Sequence, residues 1–288
     1  MKGSAMTVVI KQRRKIDRLK ITVPLNPDQY SVALSILHGI ADVADSKNLK
    51  HWRGQYGSGL MLKDGLQSLA QIITGISKTQ YRYWQWELWP DHITRNEYLP
   101  AWKAFQSLFH TLVAAHDPVY SLDHAMDTGK VSYLEIARDF VGVEKESILP
   151  WTSHSRKGDI FKDHKQGTNG AIYIGSKDSP RQFCIYDKRL QLIAKGQHCP
   201  HPSLVRVEAR LRHPGILAKD LGQLEDPFQA LHIASLSKAR ALSKEKQWQS
   251  FIQNASNNTA STAFSELSKH YRKIYRERLT ECAVKWWN

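Results

Sequence analysis

Three short stretches of this chain set side chains of chemical interest at period-two spacing. In Val131-Ser-Tyr-Leu-Glu135-Ile-Ala-Arg-Asp139-Phe, extended backbone puts Tyr133, Glu135, Ala137 and Asp139 on one face and Leu134 and Ile136 on the other. The two carboxylates then stand about 13 Å apart at Cα, too far to chelate one ion alone, but each can enter a site that a neighbouring strand completes. An exposed strand face is the plain alternative. In Val205-Arg-Val-Glu-Ala-Arg-Leu-Arg212 the apolar residues turn one way, leaving Arg206, Glu208, Arg210 and Arg212 as an opposing row. The arginines suit phosphate contacts and stabilisation of developing charge, while Glu208, held ionised among them, can bind a metal. A cross-strand salt-bridge ladder accounts for the same row. The third stretch runs from Tyr173 through Gly175-Ser-Lys-Asp-Ser-Pro180 to Lys188 and reads as a hairpin around a Gly-Ser and Asp-Ser-Pro turn. On its second strand Gln182, Cys184, Tyr186 and Lys188 share a face. Tyr186 is a candidate nucleophile, because a cation two residues away can lower a phenol's pKa or neutralise a phosphate. Strand tyrosines are also common as plain structural residues.

These residues need strands to carry them, and the chain supplies strand and helix signals in alternation. Asp17 to Pro24 alternates, with Leu19, Ile21 and Val23 on one face, and predicts a half-buried strand. Helical spacing follows from Pro27 to Asp45, with Asn26 as cap. Residues 49–88 read as short hairpins, the clearest being Gln80 to Pro90, whose aromatics could form a core or stack unpaired bases. A helix is predicted from about Arg95 to His116, ended by Asp117-Pro118. Strands are predicted at 131–141, 171–175, 181–188 and 204–212, with a mobile basic loop at 151–170. From Pro227 the pattern turns helical, with candidates 228–243, 245–254 and 261–284 and a helix-breaking loop at Asn254–Thr262. The reading is α+β. Residues 1–5 look like a cloning scar, 6–215 form one domain and 216–288 a helical C-terminal region.

Composition narrows the class of partner. Across 288 residues, 41 Lys+Arg oppose 27 Asp+Glu, a formal charge of +14, which favours a polyanion, with nucleic acid ahead of an anionic membrane surface. No stretch approaches a spanning helix and no signal peptide is apparent, so a soluble protein of the cytoplasm is expected. Cys184, Cys199 and Cys282, an odd number at wide spacing, argue against a disulfide framework and a zinc cluster. Lys269, Arg272, Lys273, Arg276 and Arg278 lie on the last predicted helix, either as a solvated face or as DNA contacts.

The run Tyr173-Ile-Gly-Ser-Lys177, a short spacer and Phe183-Cys-Ile-Tyr186-Asp-Lys188 resembles the Gly-Ser-Arg and Tyr-(Glu/Asp)-Lys signature of the replication initiation factor family of rolling-circle plasmids and filamentous phages. Asp17-Arg-Leu-Lys-Ile-Thr resembles that family's opening Asp-x-Leu strand, Glu135-Ile-Ala-Arg-Asp139 its acidic strand, and Arg206-Val-Glu208-Ala-Arg210 its Arg-x-Glu-x-Arg strand. The four pieces occur in family order, over about residues 14–215. The resemblance implies an RNP-like antiparallel sheet with helices packed on one face. Such a domain is related to the His-hydrophobic-His nickases but binds Mg²⁺ or Mn²⁺ through carboxylates, here Glu135, Asp139 and Glu208. The implied activity is nicking and rejoining of origin DNA through a 5′-phosphotyrosine. Tyr186 would be the nucleophile, with Tyr173 in reserve, assisted by Lys188, Arg206 and Arg210. Lys20, Lys177, Arg181, Arg212, Arg272 and Arg276 would contact DNA. Implied partners are an origin hairpin, single strand or supercoiled duplex, a host helicase and a second copy in a homodimer. The chain departs from the pattern at Glu135, where Asp is usual, at Lys177, where Arg is usual, and at Gln182, where some plasmid members carry a further tyrosine. A conjugative relaxase would use the same chemistry, and a non-catalytic nucleic-acid-binding regulator would use the same sheet.

The charge excess sets one expectation directly. Log affinity for DNA falls linearly with log salt as counterions are released; a flat response in a titration with added salt removes DNA as the main partner.

Overall fold

The computed structural model describes residues 15–43, 49–54, 57–65, 67–94, 99–113, 116–153, 158–163 and 168–284. In chain order the elements are β1 (Lys15–Pro24), α1 (Pro27–Val43), β2 (Leu49–Gly54), β3 (Gly57–Asp64), β4 (Gln67–Ile76), β5 (Arg82–Leu88), α2 (Pro90–Ile93), α3 (Leu99–Val113), α4 (Leu122–Thr128) and β6 (Lys130–Val141). They continue as β7 (Ile148–Thr152), β8 (Gly158–Asp163), β9 (Thr168–Ile174), β10 (Arg181–Asp187), α5 (Lys188–Ala194), β11 (Leu204–Arg212), β12 (Leu231–Ser235), α6 (Leu236–Leu242), α7 (Lys246–Asn257), α8 (Ala260–Ser265) and α9 (Lys269–Glu281). The fold is α+β, built on a large antiparallel sheet. The chain divides into two compact units, one of residues 15–136 and 211–224, the other of residues 137–210 and 225–284. Strands β6 and β11 run through both.

In the N-terminal unit β2, β3, β4, β5 and β1 pair in that order, each antiparallel to the next. Alternation sorts β1 and β5 into two chemistries. Ile21 lies opposite Trp86 and Val23 opposite Trp84, and all four are buried. The two indoles pack on α3, Trp86 edge-on to Phe109 with centroids 4.9 Å apart, and Trp84 meets Tyr120 at 5.4 Å. Helix α1 lies against β3, β4 and β5, so helices cover this face. The aromatics of β5 that point this way are core. The other face is polar: Lys20 and Arg18 both pair with the buried Glu87, and Thr22, Gln85 and Ser132 hydrogen-bond together.

In the C-terminal unit β11, β10, β9 and β8 follow β6 in the sheet. Backbone bonds from Gly142 N to Ser203 O at one end of β6, and from His213 N to Ser132 O at the other, fit one antiparallel register that sets Asp139 opposite Arg206. The β9–β10 turn needs glycine at Gly175, where φ is +93° and a Cβ would meet Arg181 O at 2.7 Å. A separate pair, β7 with β12, joins α6 to α9 around Trp151, Trp248, Phe251, Phe264 and Tyr275.

The predicted segments 17–24, 27–45, 131–141 and 204–212 match elements to within a few residues. Three predictions are corrected. The region 151–170 holds β8 and the start of β9 rather than a loop; β8 sits at the sheet edge, where pairing to β9 needs no apolar alternation. The predicted helix 228–243 is a turn at Pro227–Ala230, then β12, then α6. Asp226 caps the turn and Ser235 caps α6, while Leu231 and Ile233 are buried at strand spacing. The helix 261–284 is broken by Ser268, which caps α9, and the expected loop shrinks to Asn258-Thr259. Residues 1–5 and the Lys285-Trp-Trp tail lie outside the described residues.

The inward indoles carry the N-terminal unit. Trp86→Ala lowers the unfolding free energy by about 3–5 kcal/mol, read by urea titration. Ile193→Ala, at a side chain 50% exposed, stays within about 0.5–1 kcal/mol.

Candidate active site

Tyr186 and Glu208 come from β10 and β11 in the C-terminal unit. On β10 the even positions Gln182, Cys184 and Tyr186 turn to one face, and on β11 Arg206, Glu208 and Arg210 do the same while Val205, Val207 and Ala209 face the core. Tyr186 is buried with Ala171, Cys184 and Tyr173. Its hydroxyl donates to Glu208 Oε1 at 2.6 Å. The second oxygen, Oε2, accepts from Arg210 Nη2 at 2.8 Å. Arg210 also lies over the Tyr173 ring, 5.8 Å from its centroid. Burial pushes the Tyr173 phenol upward in pKa, Cys184 adds to the effect, and Arg210 opposes it. Tyr173 is held as a neutral phenol beside the pair.

Lys188 does not continue the strand face as period-two spacing predicts. The strand stops at Asp187, whose carboxylate accepts from Leu190 N and caps α5, so Lys188 opens that helix. Its ammonium bonds Gln191 Oε1 at 2.6 Å and sits 5.9 Å from the centre of the Tyr186 ring. Gln182 donates to Gly175 O at 3.1 Å and braces the hairpin turn.

The acidic strand divides its residues among different tasks. Arg206 makes a two-point pair with Asp139, at 2.6 Å and 2.7 Å, the planar fork meeting both oxygens. Next to it Arg138 pairs with Asp226 at 2.7 Å and lies 4.8 Å over Phe228. Glu135 accepts from the Tyr133 hydroxyl at 3.0 Å. Within the N-terminal unit, Asp17 and Glu135 each bring one carboxylate oxygen within 4.8 Å of the other, a pair suited to a cation. Asp17 enters this pair although its only signal in the sequence was its place in the opening Asp-x-Leu strand.

The basic candidates separate as well. Lys177 and Arg181 are exposed at the β9–β10 hairpin. Lys20 is held by Glu87 at 2.9 Å, and Arg212 lies 5.7 Å over the Tyr133 ring. On α9, Arg272 donates to Phe264 O and Leu267 O and so closes the end of α8. Arg276 stacks 5.3 Å over Phe264, and burial first, then Arg272, lowers its pKa. Arg278 pairs with Glu245, whose hydrogen bond raises its pKa. Lys269 and Lys273 are exposed on that helix. No helix of the described residues is long and apolar enough to cross a membrane.

Comparison with known proteins adds three findings. No curated protein sequence matches this chain. A solved structure, that of a rolling circle replication initiator protein from Geobacillus stearothermophilus, aligns with a TM-score of 0.40 at 14% identity, covering 86% of this chain and 98% of that one. The sequence model of the replication initiation factor family matches residues 149–278. That span contains Tyr186, Glu208 and Arg210.

Proposed function

We propose that the chain is a rolling-circle replication initiator that nicks and rejoins origin DNA, with Tyr186 as the attacking group. The observation that carries this reading is the bond from the Tyr186 hydroxyl to Glu208 Oε1 at 2.6 Å. A tyrosine is a poor nucleophile at its ordinary pKa and needs an adjacent base to take its proton. Glu208 fills that role, and Arg210 on the other oxygen keeps the carboxylate oriented. As the phenol oxygen bonds to phosphorus, its proton passes to Glu208 and the bond from phosphorus to the 3′ oxygen breaks. The proton returned to that oxygen leaves a free 3′-OH, and the 5′ end remains as a phosphotyrosine. Reversal by an incoming 3′-OH rejoins the strand.

Carboxylates are hard oxygen ligands of the kind Mg²⁺ and Mn²⁺ prefer, so the pair Asp17 and Glu135 fits such an ion. Bound there, the ion would polarise the scissile phosphate as a Lewis acid. DNA is the partner; the exposed Lys177 and Arg181 are suited to its phosphates. The pairing of Asp139 with Arg206 and of Glu208 with Arg210 favours a second reading, a non-catalytic DNA-binding regulator whose carboxylates serve only to neutralise arginines.

The two readings part at the tyrosine. Tyr186→Phe folds and binds single-stranded DNA but gives no covalent adduct, whereas Tyr173→Phe keeps it, as seen by labelled-fragment transfer on a denaturing gel. Adduct surviving in Tyr186→Phe sinks the assignment, and absence of adduct in the unaltered protein with Mg²⁺ or Mn²⁺ leaves the regulator. The ligand set has its own check by calorimetric titration with Mn²⁺. Asp17→Asn lowers affinity by about tenfold or more, while Asp139→Asn leaves it within about twofold and instead lowers stability by about 3 kcal/mol, because it removes the two-point carboxylate partner of the buried Arg206.

A further inference from the structure

The N-terminal unit contains a cleft of about 430 Å³ that the nicking chemistry does not use. That volume is within the range of ligand pockets. It lies on the sheet face opposite the buried indoles, since Thr22 and Gln85 alternate with Ile21, Val23, Trp84 and Trp86. Its polar groups are already ordered. Gln85 Nε2 donates to Thr22 Oγ1 at 2.9 Å and to Ser132 Oγ at 3.3 Å, and Thr22 Oγ1 donates onward to Ser132 Oγ at 2.9 Å. With its amide nitrogen committed, Gln85 presents its carbonyl oxygen, which accepts no hydrogen bond from any described residue. Tyr81 and Tyr83 line the same cleft, and Tyr81 keeps 45% of its surface exposed. Burial raises both phenols in pKa, so they are neutral rings. Lys130 and His213 are also in the lining. His213 holds φ at +46°, a left-handed conformation that is uncommon for a non-glycine residue and gathers at functional sites.

We propose that this cleft takes one unpaired nucleobase of the DNA strand, stacked on Tyr81 or Tyr83 and hydrogen-bonded to Gln85, with Lys130 near its phosphate. The ligand must be flat to lie on a phenol ring, must carry an N–H to satisfy the amide oxygen, and must tolerate a cation. A saturated apolar ligand would strand Gln85, and a cationic one would meet Lys130. A nucleobase on its anionic backbone meets all three conditions. This inference rests on the DNA reading above and adds to it a place where bases, not phosphates, are held.

The test uses the full chain, fluorescence anisotropy, a short single strand and an abasic strand of the same length, which has the same phosphates without the bases. The unaltered protein binds the base-containing strand more tightly. Tyr81→Ala and Gln85→Leu each weaken that binding by about 5- to 100-fold and leave the abasic strand bound as before, while Tyr81→Phe keeps the ring and the affinity. Because Tyr81 is exposed, its variants retain the fold even if Gln85→Leu does not. Equal losses on both strands, or no loss on either, overturn the proposal while leaving DNA binding intact. Failure of the unaltered protein to bind either strand overturns the DNA reading and this inference with it. Tight binding of a deoxynucleoside monophosphate that the strand cannot displace marks a free-nucleotide site and also overturns it.

Discussion

The carboxylate of Glu208 is the interaction on which the face that carries Tyr186 depends. A carboxylate 3% exposed is costly to bury unless both oxygens are satisfied. Here one oxygen accepts from Tyr186 and the other from Arg210. The three side chains therefore fix one another, and their strands must stay in register for the set to form. The odd positions of β11 complete the constraint, since Val205, Val207 and Ala209 are anchored in the core and cannot rotate to relieve it. The phenol oxygen is thus positioned by a buried charge, a stronger constraint than a neighbouring cation on a flexible stem would supply.

Period-two alternation made β1, β6, β10 and β11 legible in the sequence, and with them the shared face of Tyr186 with its neighbours and of Glu208 with Arg210. It failed where local hydrogen bonding ended the period. Asp187 is a good helix cap, and once it accepts from Leu190 N the next residue is helical, so the spacing from Tyr186 to Lys188 no longer counts along a strand. The β12 segment failed for the opposite reason. Leu231, Ile233 and Ser235 alternate, but the stretch is too short to outweigh the helical spacing that follows, and only pairing with β7 decides it. The partner of Asp139 was also beyond the sequence. Which residue lies opposite Asp139 depends on the β6–β11 register, and that register gives it Arg206, whose two donors occupy both of its oxygens.

The net charge of +14 does not say where the charge acts. Arg18 and Lys20 neutralise Glu87, Arg272 closes the end of α8, Arg276 covers Phe264, and Arg278 joins α9 to Glu245. These cations are committed to acidic partners, carbonyl oxygens or ring packing. Among the candidates read from the sequence, Lys177 and Arg181 are exposed on the hairpin that carries the tyrosine strand, and Lys269 and Lys273 are exposed on α9. Part of the positive charge open to a polyanion therefore sits on the same hairpin as Tyr186.

The aromatic residues of β5 show the same division of labour within one strand. Trp84 and Trp86 point inward because an indole buries more apolar surface than any other side chain, and α3 offers Phe105 and Phe109 to receive them. Tyr83 faces the other way, toward Thr22, Ser132 and the exposed Tyr81. A phenol tolerates a wet, half-buried face better than an indole does, since its hydroxyl keeps contact with water while the ring remains flat and apolar. Had the pattern been shifted by one residue, the indoles would lie exposed and the unit would lose its core. The register that stabilises the N-terminal unit is therefore the same register that leaves phenols, an amide and hydroxyls on its open face, where a base can be held without disturbing the packing behind it.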